Sequence, residues 1–232
     1  MQLESTARIE RDWKRALAWV ILGLVVSAPA LHAVYWATTQ GPLRGLDLIL
    51  LHAWHRATPR DSAFGLFLMG WSQLVSTPVI WPLLAFTSWI FWRKNRLHDA
   101  VGLVCAVSLP ALVALAAKSV YDVARPTVDW AVKSHWSSAY PSGHIAVIFA
   151  LCGLTCFLGW RQGRGVWWTA GAAVITLVAT VLMGYSRVVL GAHFFSDVLG
   201  GIVLGFIWLA VSIAVTRALQ PDIEIGGEAK GV

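Results

Sequence analysis

Long apolar runs separated by short polar segments dominate the pattern of hydrophobic positions along this chain. A helix needs about 20 apolar residues to cross the hydrocarbon core of a bilayer, and runs of comparable length occur six times. The six predicted spans are 17–36, 77–92, 100–119, 145–159, 167–185 and 198–216. Pro78 and Pro82 interrupt the second run, whose start is expected nearer Leu66. The pattern therefore predicts an all-α fold, a polytopic membrane helical bundle with six transmembrane helices.

A shorter apolar stretch lies between the first two predicted spans. Residues 41–62 read GPLRGLDLILLHAWHRATPRDS, with about ten mostly apolar positions flanked by charges and by His52 and His55. This stretch is too short to span a bilayer, and its pattern predicts a short interfacial amphipathic helix. The sequence leaves open whether the segment is a substrate entrance, a lid over the bundle or a solvated connector that rests on lipid.

The composition agrees with a membrane protein. Hydrophobic residues make up 57% of the 232 positions and the mean hydropathy is +0.65, while only 13% of the residues are charged, against about 25% in an average soluble domain. Many of the 14 tryptophans lie near the ends of apolar runs, where the indole favours the boundary between lipid and water. The three cysteines all fall within apolar runs, so they are expected to be buried thiols, and neither a disulfide framework nor a zinc site is indicated.

The net charge of +6 is explained by the positions of the basic residues, without a nucleic-acid partner. With a cytoplasmic N-terminus, 11 of the 18 basic residues fall in inside segments, and the short connectors 93–99 and 161–165 carry the clearest signal. We therefore expect both termini in the cytoplasm and an integral protein of the bacterial cytoplasmic membrane. The chain is predicted to be one membrane-embedded domain, 1–232, with a short cytoplasmic tail from about residue 220. No motif selects an oligomeric state.

Three polar segments lie at the ends of apolar spans, and all fall on the outer side in this topology. They are KSVYDVARP with Lys118 and Arg125, PSGH with Ser142, Gly143 and His144, and SRVVLGAHFFSD with Arg187, His193 and Asp197. Each segment alone has an ordinary structural explanation. A basic residue at a span end can anchor the helix at the interface, a serine can cap a helix, and a His-Asp pair four residues apart can stabilise one helix face.

Together the three segments match the needs of phosphoryl chemistry. Lys118, Arg125 and Arg187 can neutralise a phosphate, the arginines by bidentate contacts. Backbone N–H groups at the helix start around Ser142 and Gly143 can point toward the same anion. The sequence therefore predicts a phosphate-binding pocket at one face of the membrane.

The two histidines and the aspartate supply the remaining chemistry. His193, as neutral imidazole, can attack phosphorus, and Asp197 can fix its tautomer and stabilise the phosphohistidine. His144 can then protonate the leaving oxygen and later activate water.

The three segments resemble the signature of the type 2 phosphatidic acid phosphatase superfamily, which is Lys-x6-Arg-Pro, Pro-Ser-Gly-His and Ser-Arg-x5-His-x3-Asp. The motif-bearing core runs from Lys118 to Asp197, and the six-span layout extends the likeness over nearly the whole chain. The resemblance implies the same roles: His193 as nucleophile, Asp197 as its partner, His144 as general acid, and the three cations with Ser142 and Gly143 as phosphate ligands. It also implies that no metal and no other cofactor is needed.

We therefore expect an enzyme that hydrolyses a terminal phosphate from a lipid phosphate or diphosphate at the extracytoplasmic face. Undecaprenyl diphosphate is the first choice of substrate because the chain is compact and has no additional soluble domain. Phosphatidylglycerophosphate, phosphatidic acid, diacylglycerol diphosphate and lipid A phosphate stay open, as does a phosphotransferase of the same fold. An anion or lipid transporter is a different class, and it would carry charged residues at mid-span, where the sequence has few.

Overall fold

The computed structural model describes residues 2–41, 43, 45–131 and 137–220, with side chains described from Ile9 onward. Within these residues the chain forms helices and no strand, which confirms the all-α prediction. The eight helices are α1 Gln2–Thr39, α2 Leu46–Ala57, α3 Ala63–Gln73, α4 Thr77–Arg93, α5 Leu97–Tyr121, α6 Gly143–Arg161, α7 Val166–Val189 and α8 Phe195–Ala218. The tail predicted after residue 220 lies outside the described residues.

Five of these helices, α1, α5, α6, α7 and α8, are long and apolar enough to cross a membrane by themselves. The sixth span is a bent pair, in which α3 and α4 meet at 49°. Pro78 lies in the first turn of α4, where the missing N–H of proline does no harm, so the chain starts a new helix there. The predicted earlier start of this span is confirmed, although the span consists of two helices.

The bundle is organised around α8, which packs against α1, α5 and α6, while α7 packs against α6. In α5, α6 and α8, half of the residues in the most apolar 18-residue stretch are buried inside the protein. In α1 and α7, only 17% of the residues in the corresponding stretch are buried. The two outer helices expose large apolar side chains such as Val25 and Ile175. Because exposed apolar surface on this scale requires a lipid environment, the chain is an integral membrane protein.

Two glycines allow α6 and α8 to approach closely. A Cβ atom on Gly201 would lie 2.6 Å from the carbonyl oxygen of Ser142, and one on Gly205 would lie 2.9 Å from that of Ala146. Small residues at this four-residue spacing are a common device for close helix packing in membranes. The contact places the first turns of α6 and α8 side by side, and the backbone N–H of Ser142 donates to the carbonyl oxygen of Asp197 at 2.9 Å.

The predicted short helix between the first two spans is present as α2, and it packs against the protein. His55 Nδ1 lies 3.2 Å from the carbonyl oxygen of Val189, and the hydroxyls of Thr58 and Tyr185 are 2.8 Å apart. Trp54 packs its ring on Tyr185 at a centroid distance of 5.1 Å. Helix α2 is therefore fixed to the end of α7. It is not a connector that rests only on lipid.

A buried carboxylate holds the helices together at the end of the bundle that lies away from α2. Asp99, in the first turn of α5, is fully buried and accepts hydrogen bonds from Arg96 Nε at 2.6 Å and from Arg161 at the end of α6. Arg161 also donates to the side-chain oxygen of Gln220, at 3.2 Å. A buried charge is stable only when it is paired in this way, and the contacts join α5 and α6 to the chain that follows α8.

Candidate active site

All eight residues singled out in the sequence come together at one end of the bundle. A cavity of about 330 Å³ lies there, and we call it the site pocket. Six of the eight residues line it, namely Lys118, Arg125, Gly143, His144, Arg187 and His193. Ser142 and Asp197 lie directly behind its wall and are fully buried. Helix ends supply nearly all of these groups, because α5 and α7 finish at this end and α6 and α8 begin here.

The His193 ring lies between Asp197 and Arg125. Its Nδ1 is 3.2 Å from Asp197 Oδ2, which also accepts the backbone N–H of Phe194 at 2.8 Å. Its Nε2 is 3.4 Å from Nη1 of Arg125. A guanidinium nitrogen only donates, so we assign the ring proton to Nδ1, facing the carboxylate. The lone pair of Nε2 then faces Nη1 of Arg125 at the pocket wall, and it can act as a nucleophile once a phosphate in the pocket accepts the hydrogen bonds of that guanidinium.

The electrostatic surroundings keep this imidazole neutral. His193 is buried, and burial together with the nearby positive charges of Arg187, Arg125 and Lys118 holds its pKa well below the ordinary value of 6.5. Both burial and positive neighbours disfavour the imidazolium form. An unprotonated nitrogen, the form needed for attack on phosphorus, therefore persists at neutral pH.

Backbone carbonyls orient two of the cations. Lys118 Nζ donates to the carbonyl oxygens of Ser138 and Ala139. Arg125 donates from Nε to the carbonyl of Ser137 at 2.8 Å and from Nη1 to that of Ala192. These contacts hold long side chains in single conformations, which reduces the entropy lost when an anion binds.

Ser142 occupies the N-cap position of α6, as expected, but its side chain makes no capping hydrogen bond to the first turn. Its hydroxyl is buried and has no hydrogen-bond partner among the residues that the structure describes, so capping does not account for a serine at this position. The backbone N–H of Ser142 is used by Asp197, and this corrects the expectation that it points toward the anion. Gly143 and His144, at the first two positions of α6, present the helix start to the pocket.

Two features of the site were missed in the sequence. The first is Asp47 of α2, whose carboxylate accepts the backbone N–H of Ser196 at 2.8 Å and its hydroxyl at 2.7 Å. Asp47 thereby binds the first turn of α8 beside Asp197. No spacing in the sequence relates Asp47 to α8, because 149 positions separate the bonded residues.

The second missed feature is the apolar wall of the pocket. Side chains from the α3–α4 joint and from α4 and α5 form this wall, including Val75, Ile80, Trp81, Leu112 and Leu115. The pocket thus places a cationic end beside a hydrocarbon-like surface, an arrangement that suits an amphiphile with an anionic headgroup.

Comparisons with known proteins show the family and the fold. The sequence profile described as the PAP2 superfamily matches residues 99–221. The chain is 27% identical over 151 residues to the protein named "Putative undecaprenyl-diphosphatase YbjG" of Escherichia coli (strain K12), a match that covers 60% of this chain and 72% of that protein.

Two solved structures share the fold. The transmembrane PAP2 type phosphatidylglycerolphosphate phosphatase from Bacillus subtilis superposes with a TM-score of 0.67 at 21% identity, covering 90% of this chain and 98% of that one. LpxE of Aquifex aeolicus superposes with a TM-score of 0.57 at 24% identity, covering 73% of this chain and 96% of that one.

The fold and the site define the class of protein, an integral-membrane phosphatase that acts on lipid phosphates. More than half of the sequence, including all three signature segments, falls within the matched profile. The chain belongs to the PAP2 superfamily.

Proposed function

We propose that this protein removes the terminal phosphate from a lipid phosphate or diphosphate through a phosphohistidine on His193, and that undecaprenyl diphosphate is its best candidate substrate. The observation that carries the mechanism is the position of the His193 ring, with Nδ1 held by Asp197 and Nε2 beside Arg125. One imidazole ring thus has a group that fixes its tautomer on one side and a cation for the phosphate beside its nucleophilic nitrogen.

In the first step, the Nε2 lone pair of His193 attacks phosphorus while the bond from phosphorus to the bridging oxygen breaks. The bonding electrons pass to that oxygen, and His144 donates a proton to it, so the lipid product leaves as an alcohol or as a monophosphate. Lys118, Arg125 and Arg187 hold the phosphoryl oxygens as negative charge develops. Asp197 stabilises the positive charge that the ring acquires.

In the second step, a water molecule attacks the phosphorus of the phosphohistidine. His144, now neutral, takes a proton from this water, and the bond between phosphorus and Nε2 breaks with its electrons returning to the ring. Inorganic phosphate leaves, His193 is again neutral, and one water has been consumed. A lipid alcohol in place of water would make the protein a phosphotransferase.

The choice of substrate rests on the apolar wall of the site pocket and on the relatives. A lipid whose phosphate lies at the cations can lay its chain against Trp81 and Leu112. The Escherichia coli relative is named as an undecaprenyl-diphosphatase, which favours a polyprenyl diphosphate. Phosphatidylglycerophosphate, phosphatidic acid, diacylglycerol diphosphate and lipid A phosphate are the alternatives.

A phosphate-release assay tests the proposal. The purified protein in detergent is offered each of these lipid phosphates at equal concentration, and the His193→Ala variant serves as the control. We expect the highest kcat/KM for undecaprenyl diphosphate and an acid-labile phosphoryl group that quenching traps on the wild-type chain only. Release of phosphate by His193→Ala at the wild-type rate would exclude the mechanism, and a preference for another lipid would replace the substrate while leaving the mechanism in place.

The sidedness belongs to the same proposal: the site faces the extracytoplasmic side of a bacterial cytoplasmic membrane, and both termini face the cytoplasm. The support is a group of five basic residues at the ends of α4 and α6 and in the connections that follow them, at the end of the bundle opposite the site pocket. They are Arg93, Lys94, Arg96, Arg161 and Arg164.

Single cysteines measure this sidedness in a variant that lacks Cys105, Cys152 and Cys156. Thr127 and Lys94 are exposed at opposite ends of the bundle. A thiol reagent that cannot cross the membrane should label Thr127→Cys in intact cells and Lys94→Cys only after lysis. The reverse pattern would place the site pocket in the cytoplasm.

A further inference from the structure

A second and larger cavity lies at the other end of the bundle, and we call it the rear cavity. Its volume is about 570 Å³ and it opens between α4, α5, α6 and the start of α7. Volumes in this range are typical of small-molecule sites. Apolar side chains of α4 and α6, among them Leu83, Phe91 and Leu158, form most of its surface.

The mouth of the rear cavity is cationic. Arg96 and Arg164 line it, and no carboxylate is among its described lining residues. Arg96 precedes α5 and Arg164 lies just before α7, whereas Lys118 and Arg187 lie in the last turns of these two helices. The two arginines therefore lie at the membrane face opposite the site pocket.

The two arginines can bind an additional anion. Arg96 uses Nε and Nη2 for Asp99, which leaves Nη1. Arg164 is exposed, lies over the ring of Trp168 at 5.2 Å, and forms no ion pair within the described part of the chain. A guanidinium group that lies over an indole ring at this distance keeps its outer N–H groups for a phosphate.

The charge distribution distinguishes an occupant of the rear cavity from the substrate of the site pocket. The two cavities share Ile80 and Val107 as a common wall. A substrate with its phosphate at His193 could extend its chain past this wall, but its apolar end would then meet two arginines. A lipid that enters from the other face would place its chain against the apolar surface and its phosphate at the mouth.

We propose that the rear cavity binds one anionic phospholipid from the leaflet opposite the site pocket. Its phosphate is held by Arg96 and Arg164, and one acyl chain lies between α4 and α6 with its end against Ile80 and Val107. The cytoplasmic leaflet is the one enriched in anionic lipids, in agreement with the proposed orientation. The assignment goes beyond the phosphatase activity, because this lipid is bound without being hydrolysed.

Native mass spectrometry of the full-length protein tests the proposal. The protein is released from micelles that contain either phosphatidylserine or phosphatidylcholine, with vanadate present to occupy the site pocket. Neither lipid carries a terminal phosphate or results from the removal of one. We expect one phosphatidylserine to stay bound with an apparent affinity at least about fivefold above that of phosphatidylcholine.

Three variants locate this binding. Arg164→Gln should weaken phosphatidylserine binding about fivefold, since one basic group near a lipid surface contributes about that factor. Arg93→Gln is the matched control, because Arg93 is exposed on the same face and does not line the rear cavity. Thr155→Trp places an indole in the cavity and should abolish the preference. If Thr155→Trp does not fold, the comparison of phosphatidylserine binding by Arg164→Gln and Arg93→Gln still tests whether the rear cavity binds the lipid.

Two results would overturn the proposal. The first is equal binding of the two lipids by the wild type, or an equal loss in Arg93→Gln and Arg164→Gln, which would reveal only general surface charge. The second is displacement of phosphatidylserine by a long-chain alkyl phosphonate bound in the site pocket. That displacement would assign the rear cavity to the substrate chain and leave the proposed phosphatase function intact.

Discussion

Replacing Gly201 by alanine tests whether the close contact between α6 and α8 sets the geometry of the site pocket. The added Cβ would lie 2.6 Å from the carbonyl oxygen of Ser142 and 2.8 Å from Cβ of Ile145. Carbon and carbonyl oxygen atoms seldom approach closer than about 3.3 Å. The first turn of α6 must therefore move away from α8 by about 0.7 Å.

This displacement separates His144 from His193. Catalytic groups must be held within about 0.5 Å of their working positions, and a misplacement of about 1 Å can lower a rate about 100-fold. We expect kcat for phosphate release to fall at least about tenfold. Overpacking should also lower the free energy of unfolding by about 1–3 kcal/mol.

The assay compares phosphate release at saturating lipid phosphate, at a temperature well below the thermal inactivation of every variant. Gly171→Ala is the matched control, because Gly171 lies in α7 and a Cβ there would meet no atom within 4 Å. This control should retain full activity, with a slightly more stable helix. A Gly201→Ala enzyme with wild-type kcat and stability would refute the argument that backbone contact fixes the pocket.

Four further predictions concern the reacting groups and their support. His193→Ala should lose all but a few per cent of activity while the protein stays folded, and Asp197→Asn should lower kcat at least about 100-fold because the amide cannot stabilise an imidazolium; a normal rate in either variant would contradict its role. Vanadate should inhibit phosphate release, since it adopts the five-coordinate geometry of the transition state, whereas EDTA should not. Loss of activity in EDTA that is recovered when divalent ions are added would contradict the histidine mechanism. Asp47→Ala should lower the free energy of unfolding by about 2–3 kcal/mol, and with it the melting temperature, because two hydrogen bonds to a carboxylate disappear. The control Asp61→Ala, at an exposed position, should lower the free energy of unfolding by less than about 0.5 kcal/mol. Because the pKa of buried His193 is depressed, the unfolded chain binds the additional proton below about pH 6.5, so stability should fall between pH 7 and pH 5 more steeply in the wild type than in His193→Gln.

The membrane spans were predictable because a single physical requirement, an apolar length that matches the bilayer, determines them. Each predicted run lies inside a helix of the structure. The helices extend only a few residues beyond the runs, except that α1 begins at Gln2, well before the first run at residue 17. The break between α3 and α4 was only partly visible. Pro78 and Pro82 are both in α4, and only the first turn of a helix accommodates proline without loss. The sequence therefore indicated an interruption and left its angle open.

The convergence of the three polar segments was predictable from topology, since alternate span ends meet at one face. The contacts between them were not. Lys118 and Arg125 are oriented by carbonyl oxygens of residues 137–139 and 192, and a carbonyl leaves no signature in the sequence. Asp47 is a single acidic residue at the start of a short helix, and only tertiary packing shows that it binds Ser196. The apolar wall of the site pocket was hidden for the same reason, because Ile80 and Leu112 look like any other lipid-facing residues.

The bent span also sets the depth of the site pocket in the bilayer. Helix α4 has 17 residues, and at 1.5 Å per residue it is about 25 Å long, about 5 Å less than the thickness of the hydrocarbon core. Helix α3 is inclined to it by 49°, so its 11 residues add about 11 Å along the α4 axis, and the two helices together exceed the thickness of the core. When the basic end of α4 lies at one edge of the core, the α3–α4 joint lies about 5 Å inside the other edge. Thr77 and Trp81, which line the site pocket, are then at the depth of the lipid chains.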